Sequence, residues 1–339
     1  MTGRTLTAIF VLTAIFFAVS CSYKPRSSGA DNEIVVVISF EDRRFVEPLI
    51  DSIFGRVIYT PEAERFFDIV YVTPEQFEEY KVRTNIVIAA LFSVVDTTAD
   101  VLVRNILPEN QVEMIRRGEQ NIFAKRDFLA RNQVFAVLAA NSDKELAKAV
   151  QIKGRWLFDQ FDSGFLERQA KHMYKRMEQK ELADELWQKY KWKMRIQHDY
   201  VMIKEQPQRN FIWFGRSFPY RWLSVQWVDH PVTKAVDSQI AADMIHDYPS
   251  VYYKTVNFTH YYEKIEETTF KGRKAWRAEG LWEHKKDIKG GPYVSYIFYD
   301  ERTDRIYHIN YLIHHPSGKK MLSLRQMDIM IRTFATDPA

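Results

Sequence analysis

The chain holds a single cysteine, Cys21, in 339 residues, so no internal disulfide can form and any fold must be held by its own core. Its position narrows the reading further. Residues 1–5 carry one fixed positive charge, Arg4, and residues 6–17 are uncharged and mostly apolar. The small residues Ala18 and Ser20 then lead up to Cys21. A short basic head, an apolar stretch and small residues before the sulfur form an export signal, which is excluded from fold reasoning. A bacterial lipoprotein peptidase requires small side chains there, and the cysteine thiol takes the diacylglycerol. Cys21 is therefore read as a lipidation site. A transmembrane anchor needs ~20 apolar residues to cross ~30 Å, and this run is shorter. Ala18 stands where leucine is commoner, so an ordinary cleaved signal is the alternative. The remaining chain has no thiol nucleophile and no cysteine-based metal site.

The net charge of +4 is weak, and acidic and basic residues interleave along most segments. A nucleic-acid binder concentrates its basic residues on one face, so nucleic acid is not expected as a partner. The basic run at 171–176 reads as the solvated face of a helix. No tryptophan precedes Trp156 and no histidine precedes His172, a shift that suggests two domains of different make-up.

The polar stretch 22–32, with proline and glycine, has the composition of a flexible tether. Residues 33–39 are a β-branched run expected to be a buried strand, and 43–54 suit a helix ending at Gly55. Strands over 67–73, 85–92, 121–124 and 133–140 and a helix over 109–117 complete an α/β-type layer domain at 33–165. A charged helical stretch follows, expected to break near Gly164 and Gln179, with 166–192 as a connector. Residues 193–337 are strand-rich: 193–197, 201–205, 211–216, 222–228, one or two strands within 252–270, then 274–284, 293–300 and 306–313. Helices are expected over 233–246 and after Ser317 as cap. The fold class read from this pattern is α+β, two layered domains, the second an antiparallel sheet covered by helices.

The segments Gly280-Leu281-Trp282-Glu283 and Gly290-Gly291-Pro292-Tyr293-Val294-Ser295-Tyr296 resemble domain-of-unknown-function family 4837, bacterial lipoproteins mainly of the Bacteroidota. The strand opening at Asn32 and the segment Phe67-Asp68-Ile69-Val70-Tyr71-Val72-Thr73 are similar to that family as well, so the resemblance spans most of the chain beyond the signal. It implies a lipoprotein of unassigned function and carries over no catalytic residue. The second half also resembles, faintly, the PsbP-like sandwich.

Few constellations suggest chemistry. Glu279 and Glu283 flank Trp282, but four strand positions separate them by roughly 13 Å. Glycosidase carboxylates stand ~5 to 9.5 Å apart. His308 and His314 share a strand face about 20 Å apart, so a metal would need a partner from elsewhere, such as His284 or His260. No metal ligand set and no cofactor are assigned. Ser217 lacks the second glycine of a nucleophile elbow. The remaining candidate is the loop 283–293, where Trp282, Glu283, Gly290, Gly291 and Tyr293 are the candidate binding residues. Either an aromatic pair beside open backbone amides grips a glycan or peptide, or the aromatics fill the core behind a hairpin turn.

These features lead to the expectation of an envelope-anchored, non-catalytic binding or assembly lipoprotein. It would meet the membrane through its lipid, and an envelope protein or cell-wall glycan as partner. A lipid-anchored hydrolase and a carrier of an apolar ligand are the alternatives. Ser22 is not the aspartate that retains lipoproteins in the inner membrane, so the expected address is the periplasmic face of the outer membrane.

Overall fold

The computed structural model describes residues 24–92, 97–175 and 177–337. Cys21 lies outside them. Two sheets organise the chain. The first has the order β4-β1-β5-β7-β6, built from β1 (Glu33–Ile38), β4 (Asp68–Val72), β5 (Asn85–Leu91), β6 (Ile122–Arg126) and β7 (Val134–Ala140). All its pairings are parallel except β6 with β7. Strands buried on both faces read as continuous apolar runs, which is why EIVVVI and VFAVLAA carry no alternation. Helix α1 (Arg43–Phe54) covers one face together with the long helix α4 (Asp143–Met173). Helices α2 (Thr98–Ile106) and α3 (Glu109–Arg116) cover the other. A small hairpin, β2 (Val57–Tyr59) and β3 (Ala63–Arg65), projects between α1 and β4.

Helix α4 spans Asp143–Met173 without interruption. The expected break at Gly164 is absent because that glycine serves close packing: a Cβ there would lie 2.6 Å from Val134 and closer still to the Arg126 guanidinium. Helix α5 (Lys180–Tyr190) does begin at Gln179.

The second sheet is antiparallel, in the order β11-β12-β13-β14-β10-β9-β8. Its strands are β8 (Val201–Gln206), β9 (Phe211–Arg216), β10 (Tyr220–Asp229), β11 (Val256–Phe270), β12 (Arg273–His284), β13 (Gly290–Asp300) and β14 (Arg305–His314). Helix α6 (Ser238–Tyr248) packs on one face and α7 (Met321–Ile331) with α5 on the other. The fold is thus α+β, with the second sheet covered by helices.

Four local expectations are corrected. Residues 193–197 are not a strand: Trp192, Met194 and Ile196 alternate into the core, but the backbone makes only isolated bridges, Lys193 N to Ala335 O at 2.9 Å and Gln179 N to Ile196 O at 3.0 Å. Burial of an extended segment mimics strand periodicity. Helix α6 starts late because Asp237 caps it, accepting from Ile240 N at 2.8 Å. Ser317 does not cap α7. The amides of Lys320 and Met321 donate instead to Glu64 Oε2 in β3, at 2.7 and 2.8 Å. Finally, the stretch read as a tether is tied down from Lys24 onward. Arg131 N donates to Pro25 O, Ser28 N to Val82 O, and Thr84 N to Ser28 O, all at 2.8–2.9 Å.

Candidate functional site

The turn between β12 and β13 is closed by its own residues. His284 N donates to Lys289 O at 2.8 Å. The His284 Nδ1 accepts from the amides of Lys286 and Asp287, at 3.2 and 2.9 Å. These bonds occupy the amides of His284, Lys286 and Asp287. Gly290 and Gly291 belong to the ladder, opposite Glu283 and Trp282. Their lack of a side chain permits close approach of backbones: a Cβ on Gly291 would stand 2.0 Å from Ile313 O, and one on Gly290 2.7 Å from Trp282 O.

The aromatic pair does not face solvent. Trp282 is 4% exposed, and its indole N–H donates to Ile313 O at 3.0 Å. Tyr293 is 0% exposed, stacked on Phe258 with ring centroids 3.9 Å apart. Both belong to the core beneath α6. The reading of Trp282 and Tyr293 as an exposed grip is therefore corrected to core packing behind a hairpin.

Glu283 and Gly290 remain at the surface, where they line an open cleft of about 970 Å³. Its opposite wall comes from the first half of the chain, residues 60–65 and Asp68, and its floor from the 316–320 loop. Two contacts fix this junction: Glu64 caps α7, and Lys319 Nζ pairs with Asp68 Oδ2 at 2.9 Å. Ile288 stands fully exposed at the tip of the β12–β13 turn. The lining mixes carboxylates (Glu62, Glu283, Asp287) with cations (Arg65, Lys289, Lys320). Several of these charges are already paired within the chain, Lys289 with Asp287 and Arg65 with Asp51, each at 2.8 Å. Sequence reading missed the far wall, since the β2–β3 hairpin meets the 316–320 loop across some 250 residues.

The histidines do not assemble as a His308–His314 pair. Both faces of β14 are covered, so His308 is wholly buried, its Nε2 2.9 Å from Ser295 Oγ. Burial pushes its pKa down to about 3. A serine and an imidazole at that distance have the geometry of a nucleophile and its base. Yet both are 0% exposed, and His308 Nδ1 has no hydrogen-bond partner among the described residues to orient the ring. The pair belongs instead to a buried network: Ser295 Oγ accepts from Asn310 Nδ2, Asn310 Oδ1 from Tyr253 OH, and Tyr253 OH meets Ser224 Oγ at 2.7 Å. Glu279 bonds to Arg277, and β12 keeps continuous register with β13 through Gly280, so Glu279 and Glu283 stay four strand positions apart.

Among the described residues, no helix is long and apolar enough to cross a membrane. No curated protein matches the sequence. Among solved structures, the chain is similar to the Ran-binding protein Mog1p of Saccharomyces cerevisiae, at 11% identity and TM-score 0.30, over 43% of this chain and 89% of that one. It is also similar to LpqN of Mycobacterium tuberculosis, a protein involved in cell envelope biogenesis, at 12% identity and TM-score 0.26, over 42% and 82%. A family model described as Domain of unknown function (DUF8532) matches residues 27–174. The similarity noted around Asn32 and Phe67 therefore falls in a separate family from that of the second half. A family model described as Domain of unknown function (DUF4837) matches residues 179–333, including the whole of the β12–β13 hairpin.

Proposed function

We propose that this chain is an envelope lipoprotein, anchored through Cys21 at the periplasmic face of the outer membrane, that binds an envelope protein without catalysing a reaction. The observation that carries the reading is the cleft between the two halves, built jointly by the β2–β3 hairpin and the β12–β13 turn, with Ile288 exposed at its rim. A partner seated there contacts both halves at once. The N-terminal signal supports the anchor. The burial of Ser295 and His308 speaks against their use in a hydrolase.

In-cell crosslinking of the tagged, lipidated protein, read by mass spectrometry, tests this reading against Ile288→Asp and Cys21→Ser. A reproducible envelope partner that is lost in either variant supports it. An absence of any partner above background ends the adaptor reading and moves the test to glycan binding.

A further inference from the structure

Strand β11 carries a bulge where it passes Gly280. Thr259 pairs with Leu281 and Lys264 with Glu279, so residues 260–263 of β11 stand opposite one residue of β12. Bulges re-aim side chains, and this one turns His260 and Glu263 to the same side. Tyr262 within it has φ +55°, a conformation that a bulky residue keeps only where its surroundings impose it. Its ring stacks on Tyr59 of the β2–β3 hairpin, with centroids 4.5 Å apart and planes 6° from parallel. The bulge is therefore held from both halves of the chain.

His246, on α6, completes the group. Its Nε2 lies 3.0 and 3.1 Å from the two oxygens of Glu263, and His260 Nδ1 lies 3.6 Å from Oε1. The three donor atoms all fall within 4.8 Å of one another. Zinc–ligand bonds of ~2.0–2.2 Å in a tetrahedron place donor atoms about 3.4 Å apart, which this spacing brackets. An ion pair needs only one imidazole on the carboxylate. A second at this range adds like charge if protonated, whereas two neutral imidazoles and a carboxylate are a ligand set for a divalent cation. Tyr293 donates to Glu263 Oε2 at 3.0 Å, the contact by which an outer-shell group orients a ligating carboxylate. Lys264, the nearest cation in sequence, is turned to Glu266 at 2.6 Å.

We infer that His246, His260 and Glu263 form a binding site for a borderline divalent metal of the zinc class. Three protein ligands occupy one side. The His260 side chain is 81% exposed, which leaves the remaining coordination position to solvent. His260 was expected only as a distant third partner for the β14 histidines; it works instead with His246.

The test uses the untagged full-length chain in detergent, with zinc affinity measured by competition with a chromophoric chelator and geometry by the visible spectrum of the cobalt(II) form. The expected result is one metal per chain, a tetrahedral cobalt spectrum, and a greater loss of affinity in His260→Ala and in Glu263→Gln than the roughly 10-fold loss expected for the outer-shell change Tyr293→Phe. His260 is exposed, so its variant retains the fold. Zinc bound no more tightly by the parent than by His260→Ala, or no 1:1 binding at all, overturns the site.

Discussion

The hydroxyl of Tyr293 reaches Glu263 Oε2 at 3.0 Å by lying across Gly280, the residue opposite it in the neighbouring strand. A Cβ on Gly280 would stand 2.9 Å from Tyr293 Cε1. Glycine is thus required by the ring above it, and the ring's path sets where the β11 bulge can place its carboxylate. Burial, and the adjacent Glu263 carboxylate, hold the Tyr293 phenol far above its ordinary pKa, so it stays a donor.

Gly280→Ala should therefore destabilise the protein by about 1–3 kcal/mol, the usual cost of overpacking a filled site. Urea denaturation reads the change as a lower midpoint at constant slope. A midpoint equal to that of the parent would show that the ring moves aside freely.

The two halves are joined by a buried cation. Arg325 on α7 pairs with Asp162 on α4, donates to Phe66 O at 3.2 Å, and lies 3.5 Å from the Phe165 ring centroid. Burial lowers its pKa to about 10, still well above neutrality. Removing one partner strands the other charge, so Arg325→Ala should cost about 3 kcal/mol. The double variant Arg325→Met with Asp162→Leu should recover much of that loss. Equal stability of the single and double variants in thermal melts would count against a coupled pair.

His308 gives the fold a pH dependence. The unfolded chain takes up its proton near the ordinary value of 6.5, whereas the buried ring does so only near 3. Between these values the unfolded state binds more protons, so stability falls as pH falls. The slope is about 1.4 kcal/mol per pH unit, or roughly 3 kcal/mol lost from pH 6.5 to 4. His308→Gln should flatten that part of the stability profile. An unchanged slope in the variant would assign the dependence to other groups.

Much of the fold was legible because burial leaves a period. The first sheet shows as unbroken apolar runs such as EIVVVI, and the second as strands separated by turn residues. What misled was the same signal in another setting: Trp192, Met194 and Ile196 alternate without a neighbouring strand. The site was less legible. Trp282 and Tyr293 were marked by the glycines beside them, but those glycines record tight backbone contact rather than an open surface. The cleft's far wall, Glu64 and Asp68, and the meeting of His246 with His260 depend on tertiary placement, which no local pattern encodes.

The anchor predicts where the body must sit. If Cys21 carries lipid, only Ser22 and Tyr23 separate it from Lys24. Three Cα steps of at most ~3.6 Å keep Lys24 within about 11 Å of the modified residue. Lys24 Nζ donates to Asp127 O at 2.8 Å, and Pro25 O accepts from Arg131 N, so the leash has almost no slack before the first sheet's edge begins. The 127–131 turn should face the bilayer closely, with Lys24 and Arg26 beside it where anionic headgroups favour cations. Cys21→Ser should move the protein wholly into the soluble fraction. Retention of that variant in washed membranes would exclude the lipid as the anchor, and with it the close approach of this turn to the bilayer.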